Sequence, residues 1–137
     1  MLKRFSFYIV LVVAILIAAE GFAAERQGIY VGSDQYDDYY LQAKDSQVSY
    51  DEKCILAVVT LYPKRPSEYR NLGYVFNWRN DRWYYYLAAE ETYSKYGTSW
   101  SYLDNPQERP VTSSDKVEIW NNIINYCLAN VRRTPLK

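Results

Sequence analysis

Residues 72–93 read LGYVFNWRNDRWYYYLAAEETY. Leu72, Tyr74, Phe76 and Trp78 alternate with Gly73, Val75 and Asn77, the two-residue period of a β-strand. Arg79, Asn80, Asp81 and Arg82 supply a short polar hairpin loop. The chain then returns with Trp83, Tyr85, Leu87 and Ala89 on one face and Tyr84, Tyr86 and Ala88 on the other. This hairpin sets an antiparallel sheet as the frame for the rest of the chain.

Upstream, Cys54 to Tyr62 is almost continuously apolar and β-branched, the pattern of a central strand covered on both faces, and Pro63 and Pro66 end it. Two shorter strands are expected before it, Gly28 to Gly32 and Tyr39 to Ala43, joined by the acidic turn Ser33 to Asp38. Lys44 to Lys53 reads as a polar connection. Downstream, Lys95 to Gly97 turns the chain into a last strand, Thr98 to Leu103. Asp104 to Thr112 holds Pro106 and Pro110 and reads as a loop, because proline cannot donate to a central ladder.

A helix should close the chain. Ser114 and Asp115 offer N-caps, with Glu118 three residues beyond Asp115. Val117, Trp120, Ile124, Cys127, Leu128 and Val131 recur at three- and four-residue steps, a stripe to lie on the sheet. The expected architecture is α+β, an antiparallel meander of about six strands packed by one C-terminal helix.

The start of the chain has a different character. Lys3 and Arg4 precede an apolar run from Phe5 to Ala19 broken only by Ser6, and Gly21 and Ala23 are small residues at the positions signal peptidase reads. Residues 1–23 therefore read as a cleavable signal peptide and 24–137 as one exported domain, periplasmic, surface-held or secreted. The alternative, a retained anchor, needs about 20 apolar residues to span a bilayer, and this run is shorter. No membrane span is expected after cleavage.

Without residues 1–23 the chain has 14 basic and 15 acidic residues. That balance excludes the strong basic excess of a general nucleic-acid or anionic-membrane binder. Cys54 and Cys127 are the two cysteines, and an oxidising compartment favours their pairing. With Cys54 heading the central strand and Cys127 on the buried helix stripe, the bond would staple helix to sheet and restrict the unfolded chain by roughly 4 kcal/mol. Two buried thiols are the other reading.

The order of elements resembles the surface-adhesin protein E family of bacteria. The likeness is carried by Tyr39, Tyr40 and Leu41 followed by Asp45 and Ser46, by the strand Cys54 to Tyr62, by Tyr74 to Trp78, and by Trp120, Ile124 and Cys127 near the end. The resemblance implies an antiparallel sheet with a terminal helix at the cell surface or envelope, and for some members binding to host-matrix proteins. It supplies no binding residue for this chain.

Few residues suggest chemistry. The chain has no histidine, which removes Ser-His and Cys-His catalysis and the usual zinc sites. Ser113 and Lys116 match S-x-x-K without the motifs that accompany it. Asp34, Asp37 and Asp38 lack the spacing of an EF-hand calcium loop and read as a solvated turn. Glu90 and Glu91 are adjacent, so on a strand they face opposite ways and read as edge or surface charges. No catalytic, cofactor or metal residue is expected, and the chain reads as a non-enzyme.

The remaining candidate is the cluster Trp78, Arg79, Arg82, Trp83, Tyr84 and Tyr86, with Tyr85 among them. As a contact surface, Tyr, Trp and Arg would give large area at low entropy cost to a protein partner. As architecture, one face would fill the core and the other would stabilise cross-strand pairs. A further possibility is an envelope assembly factor that binds a partner by strand addition at a sheet edge.

Overall fold

The computed structural model describes residues 28–134 except 66, 95 and 96. The signal-peptide reading of residues 1–23 lies outside the described residues. Six strands form the main sheet in the order β1-β2-β4-β5-β6-β7: β1 (Ile29–Ser33), β2 (Asp37–Leu41), β4 (Cys54–Pro63), β5 (Arg70–Arg79), β6 (Arg82–Ser94) and β7 (Gly97–Tyr102), each antiparallel to its neighbour. One α-helix, α1 (Val117–Asn130), follows near the C-terminal end. Among the described residues no helix is long and apolar enough to cross a membrane.

Three short strands raise the total among the described residues to nine. β3 (Gln47–Ser49) pairs with the first half of β4, inside the stretch that reads as a polar connection. β8 (Arg109–Pro110) pairs with Tyr84 and Tyr85 of β6 within the expected loop, and the outer position beside β6 tolerates Pro110. β9 (Arg133–Thr134) runs parallel to β3 after the helix. Such two- and three-residue bridges carry no period of their own, and their partners define them.

The hairpin loop between β5 and β6 is as tight as the sequence suggests. Asn80 and Asp81 both take positive φ, 53° and 60°, which suits the right-handed twist of the flanking strands. A bulge follows: Gly73 pairs with Ala89 but Tyr74 with Leu87, so Ala88 is the extra residue, and its carbonyl accepts from Leu103 N at 3.2 Å. The bulge shifts the alternation. Ala89 therefore joins Tyr84 and Tyr86, and not Trp83, Tyr85 and Leu87 as an unbroken strand would have it.

The helix covers one face of the sheet. Ile55, Ala57, Val59 and Leu61 of β4 and Leu72, Tyr74 and Phe76 of β5 form a buried cluster with Ile119, Trp120, Ile123, Ile124 and Cys127. Ile119 and Ile123 belong to this face and not to the expected stripe, while Val117 and Leu128 sit at its margin. The centre is Trp120, with ring centroids 4.8 Å from Tyr74, 5.1 Å from Tyr85, 6.0 Å from Phe76 and 6.2 Å from Tyr39. Neither expected N-cap occupies the cap position, which is Lys116. Ser114 Oγ instead accepts from Lys116 N and from Trp120 Nε1, both at 3.0 Å, and so fixes the entry of the helix and the indole together.

No disulfide joins Cys54 and Cys127, although both are buried. Cys127 lies in the cluster under the helix, whereas the alternation of β4 turns Cys54 with Leu56 and Val58 toward the opposite face. Burial pushes the Cys127 thiol up to about 12, against a smaller opposing influence of Arg133, so it behaves as a packed apolar group.

Candidate functional site

The alternation of β5 and β6 divides the aromatic hairpin among three environments. Trp83 and Tyr85 pack against the helix-side cluster, and Tyr86 is buried on the opposite face. Tyr84 is half-buried with the Arg79 guanidinium 3.8 Å from its ring centroid. Arg79 is also paired with Glu108, which accepts from Asn77 Nδ2 at 2.9 Å as well. Trp78 stands directly opposite Trp83, edge to face at 5.5 Å, and keeps 38 % of its surface. Trp78 and Arg82 thus form the outward part of a hairpin whose rings mostly serve packing.

A second aromatic array, half-buried and opening at Tyr30, lies at the other end of the sheet, on the face away from the helix. Tyr30 of β1 stands opposite Tyr40 of β2 with ring centroids 5.5 Å apart. Tyr40 meets Tyr62 of β4 at 5.3 Å, and Tyr62 meets Tyr69 at 5.6 Å. Tyr30 is 56 % exposed, and Tyr36 in the adjoining turn is 68 % exposed. Burial, then the neighbouring Tyr69 and Tyr40, raises the Tyr62 phenol above its ordinary value. These tyrosines are far apart in sequence, and only the register of β1, β2 and β4 brings them together.

The ladder continues inward as a polar row. Tyr40 pairs with Thr60, Thr60 with Asn71, Asn71 with Glu91, and Glu91 with Trp100. Gln42 Nε2 donates to Thr60 Oγ1 at 3.0 Å, the Thr60 hydroxyl to Asn71 Oδ1 at 2.6 Å, and Asn71 Nδ2 to Glu91 Oε1 at 3.0 Å. Glu91 is 0 % exposed, so it is not the surface charge its sequence position suggests. Glu90 does point the other way, and it pairs with Arg70 at 3.5 Å.

The acidic turn is a local scaffold. Asp34 Oδ1 accepts from Tyr36 N and Asp37 N, and Oδ2 from the Tyr39 hydroxyl, all at 2.8 Å. Burial alone would raise the Asp34 carboxyl. These three hydrogen bonds, with Lys116 Nζ at 4.0 Å, outweigh it and hold the group below the usual carboxylate range. The same contact and burial push the Tyr39 phenol well up, burial being the larger cause. Among the described residues no three Cys, Asp or Glu side chains stand close enough to hold a metal ion.

A depression of about 520 Å³ lies between β1 and the first turns of α1, with Tyr30, Ser33 and Asp34 on one wall and Asp115, Lys116 and Asn122 on the other. Asn122 Nδ2 donates to Val31 O at 2.9 Å, so the helix covers part of the β1 edge. Ser113 Oγ donates to Pro110 O at 2.7 Å, while Lys116 Nζ lies 4.0 Å from each of Asp34 and Asp115. The S-x-x-K pair thus serves two separate local contacts. No family model, curated protein or solved structure matches the chain.

Proposed function

We propose that this chain is a non-catalytic, exported interaction domain of the cell surface or envelope, adhesin-like in mode, that engages a protein partner through an aromatic sheet face. The observation that carries the reading is the ladder Tyr30, Tyr40, Tyr62 and Tyr69, four amphipathic rings in contact on the face away from the helix. Rings already held by their neighbours lose little conformational freedom on binding, and their hydroxyls accept and donate at a partner's polar rim. The lack of histidine and the even charge support a binding role over catalysis or nucleic-acid contact.

The test is a pull-down from envelope extract and host-matrix proteins with the mature domain and two variants. The Tyr30→Ser, Tyr40→Ser variant should lose the partner. The Trp78→Ser, Arg82→Ser variant should keep it, and both should melt cooperatively as folded proteins. Loss confined to the hairpin variant would move the surface to the hairpin.

A second reading is strand addition at a sheet edge. It draws on β7, whose six residues have β6 as their strand neighbour and end at the exposed Tyr102, with the exposed Leu103 following. A Ser101→Pro substitution that abolished capture while the ladder variant retained it would favour this mode.

A further inference from the structure

The buried row on the face away from the helix ends in two atoms whose hydrogen-bonding capacity is unused. The donors run in one direction: Gln42 to Thr60, Thr60 to Asn71, Asn71 to Glu91. Asn71 turns its amide N–H toward Glu91 Oε1 and its oxygen toward the Thr60 hydroxyl, so one side chain links both neighbours. Glu91 Oε1 is thereby used, while Glu91 Oε2 is shielded from solvent and has no hydrogen-bond partner among the described residues. Trp100 Nε1 is in the same condition. Glu91 and Trp100 stand directly opposite one another on β6 and β7, where side chains on one face start about 5 Å apart.

An unpartnered acceptor and an unpartnered donor on directly opposed residues, both shielded from bulk solvent, restrict what can bind between them. A cation would satisfy the carboxylate oxygen and be repelled by the indole N–H dipole. An anion would satisfy the indole and be repelled by the carboxylate. A neutral group carrying both a lone pair and an O–H satisfies both, and water is the smallest. We propose that Glu91 Oε2 and Trp100 Nε1 bind one internal water molecule, which accepts from the indole and donates to the carboxylate. The hydrogen-bonded row then extends from Gln42 through β4, β5 and β6 to β7. The outermost strand is held by a side-chain bridge as well as its backbone ladder, and the water leaves only when β7 parts from β6.

The test uses the unmodified, ¹⁵N-labelled mature domain and water-selective NOE spectroscopy, with the Trp100 indole assigned through its contacts to Glu91. The Trp100 Nε1–H should show a water cross-peak with the sign of a long-lived protein-bound molecule, and should exchange on the order of tenfold or more slower than the indole of Trp78. A crystal structure of the same protein should show a water oxygen within about 3.2 Å of both atoms. A protected indole with no water cross-peak, and a direct Nε1 to Oε2 contact in the crystal, would overturn the proposal. So would an indole that exchanges as fast as an exposed one.

Discussion

The two faces of this sheet are built from alternate residues of the same strands and are chemically unlike. Under the helix, Tyr39, Tyr74, Phe76 and Tyr85 surround Trp120 and the interior is apolar. On the other face, Thr60, Asn71 and Glu91 form a fully buried polar row flanked by the tyrosine ladder. The helix face depends on contact area, which many apolar side chains could supply. The row depends on every member keeping its partner, because an orphaned buried polar group loses its hydration with no return. The faces should therefore respond differently to substitution.

The largest effect is expected under the helix. Trp120→Ala removes the ring that four other rings contact and should cost about 4 kcal/mol in urea unfolding, with Trp120→Phe costing much less. A loss below about 1 kcal/mol would mean that the helix does not hold that face. Next comes the row: Glu91→Ala and Asn71→Ala should each cost about 2 kcal/mol, and the double variant should cost less than their sum, because the second change removes a group already orphaned by the first. Strict additivity would show that the row is not connected.

The turn beside β2 gives a smaller, pH-dependent effect. Asp34→Ala should cost about 1 kcal/mol at neutral pH. The folded carboxyl titrates below its unfolded value, so its contribution is complete above the ordinary carboxylate range and is lost as pH falls through the lower folded value. Urea midpoints of wild type and variant should therefore converge only in strong acid. A gap that stayed constant through the acid range would assign the effect to packing. Smaller again is Tyr30→Ser, which should change stability by about 0.5 kcal/mol, because the ring is mostly exposed, while partner capture falls sharply. The smallest is the response to reductant. With Cys54 and Cys127 on opposite faces, the melting temperature should be the same with and without dithiothreitol, and a drop of several degrees would reveal a covalent link.

How much of this was legible in the sequence follows from the same contrast. The strand at 54–63, the hairpin at 70–94 and the C-terminal helix announce themselves because periods of 2 and 3.6 are local properties. The bulge at Ala88 is not local, and it alone moves Ala89 to the other face. Glu90 and Glu91 look alike in sequence, yet register sets one beside Arg70 at the surface and the other opposite Asn71 in the interior. Tyr30, Tyr40, Tyr62 and Tyr69 likewise became an array through strand pairing. The hairpin cluster, dense in sequence, is divided by that same alternation into core and surface.

The most direct test of the ladder as the contact surface is site-specific photo-cross-linking in the cells that produce the protein. A photoreactive phenylalanine analogue would be introduced singly at Tyr30, Tyr40, Trp78 and Arg82. Cross-linked adducts of one common mass at positions 30 and 40, and none at 78 and 82, are the expected result. Adducts at 78 and 82 with none at 30 and 40 would contradict the account and return the contact surface to the hairpin.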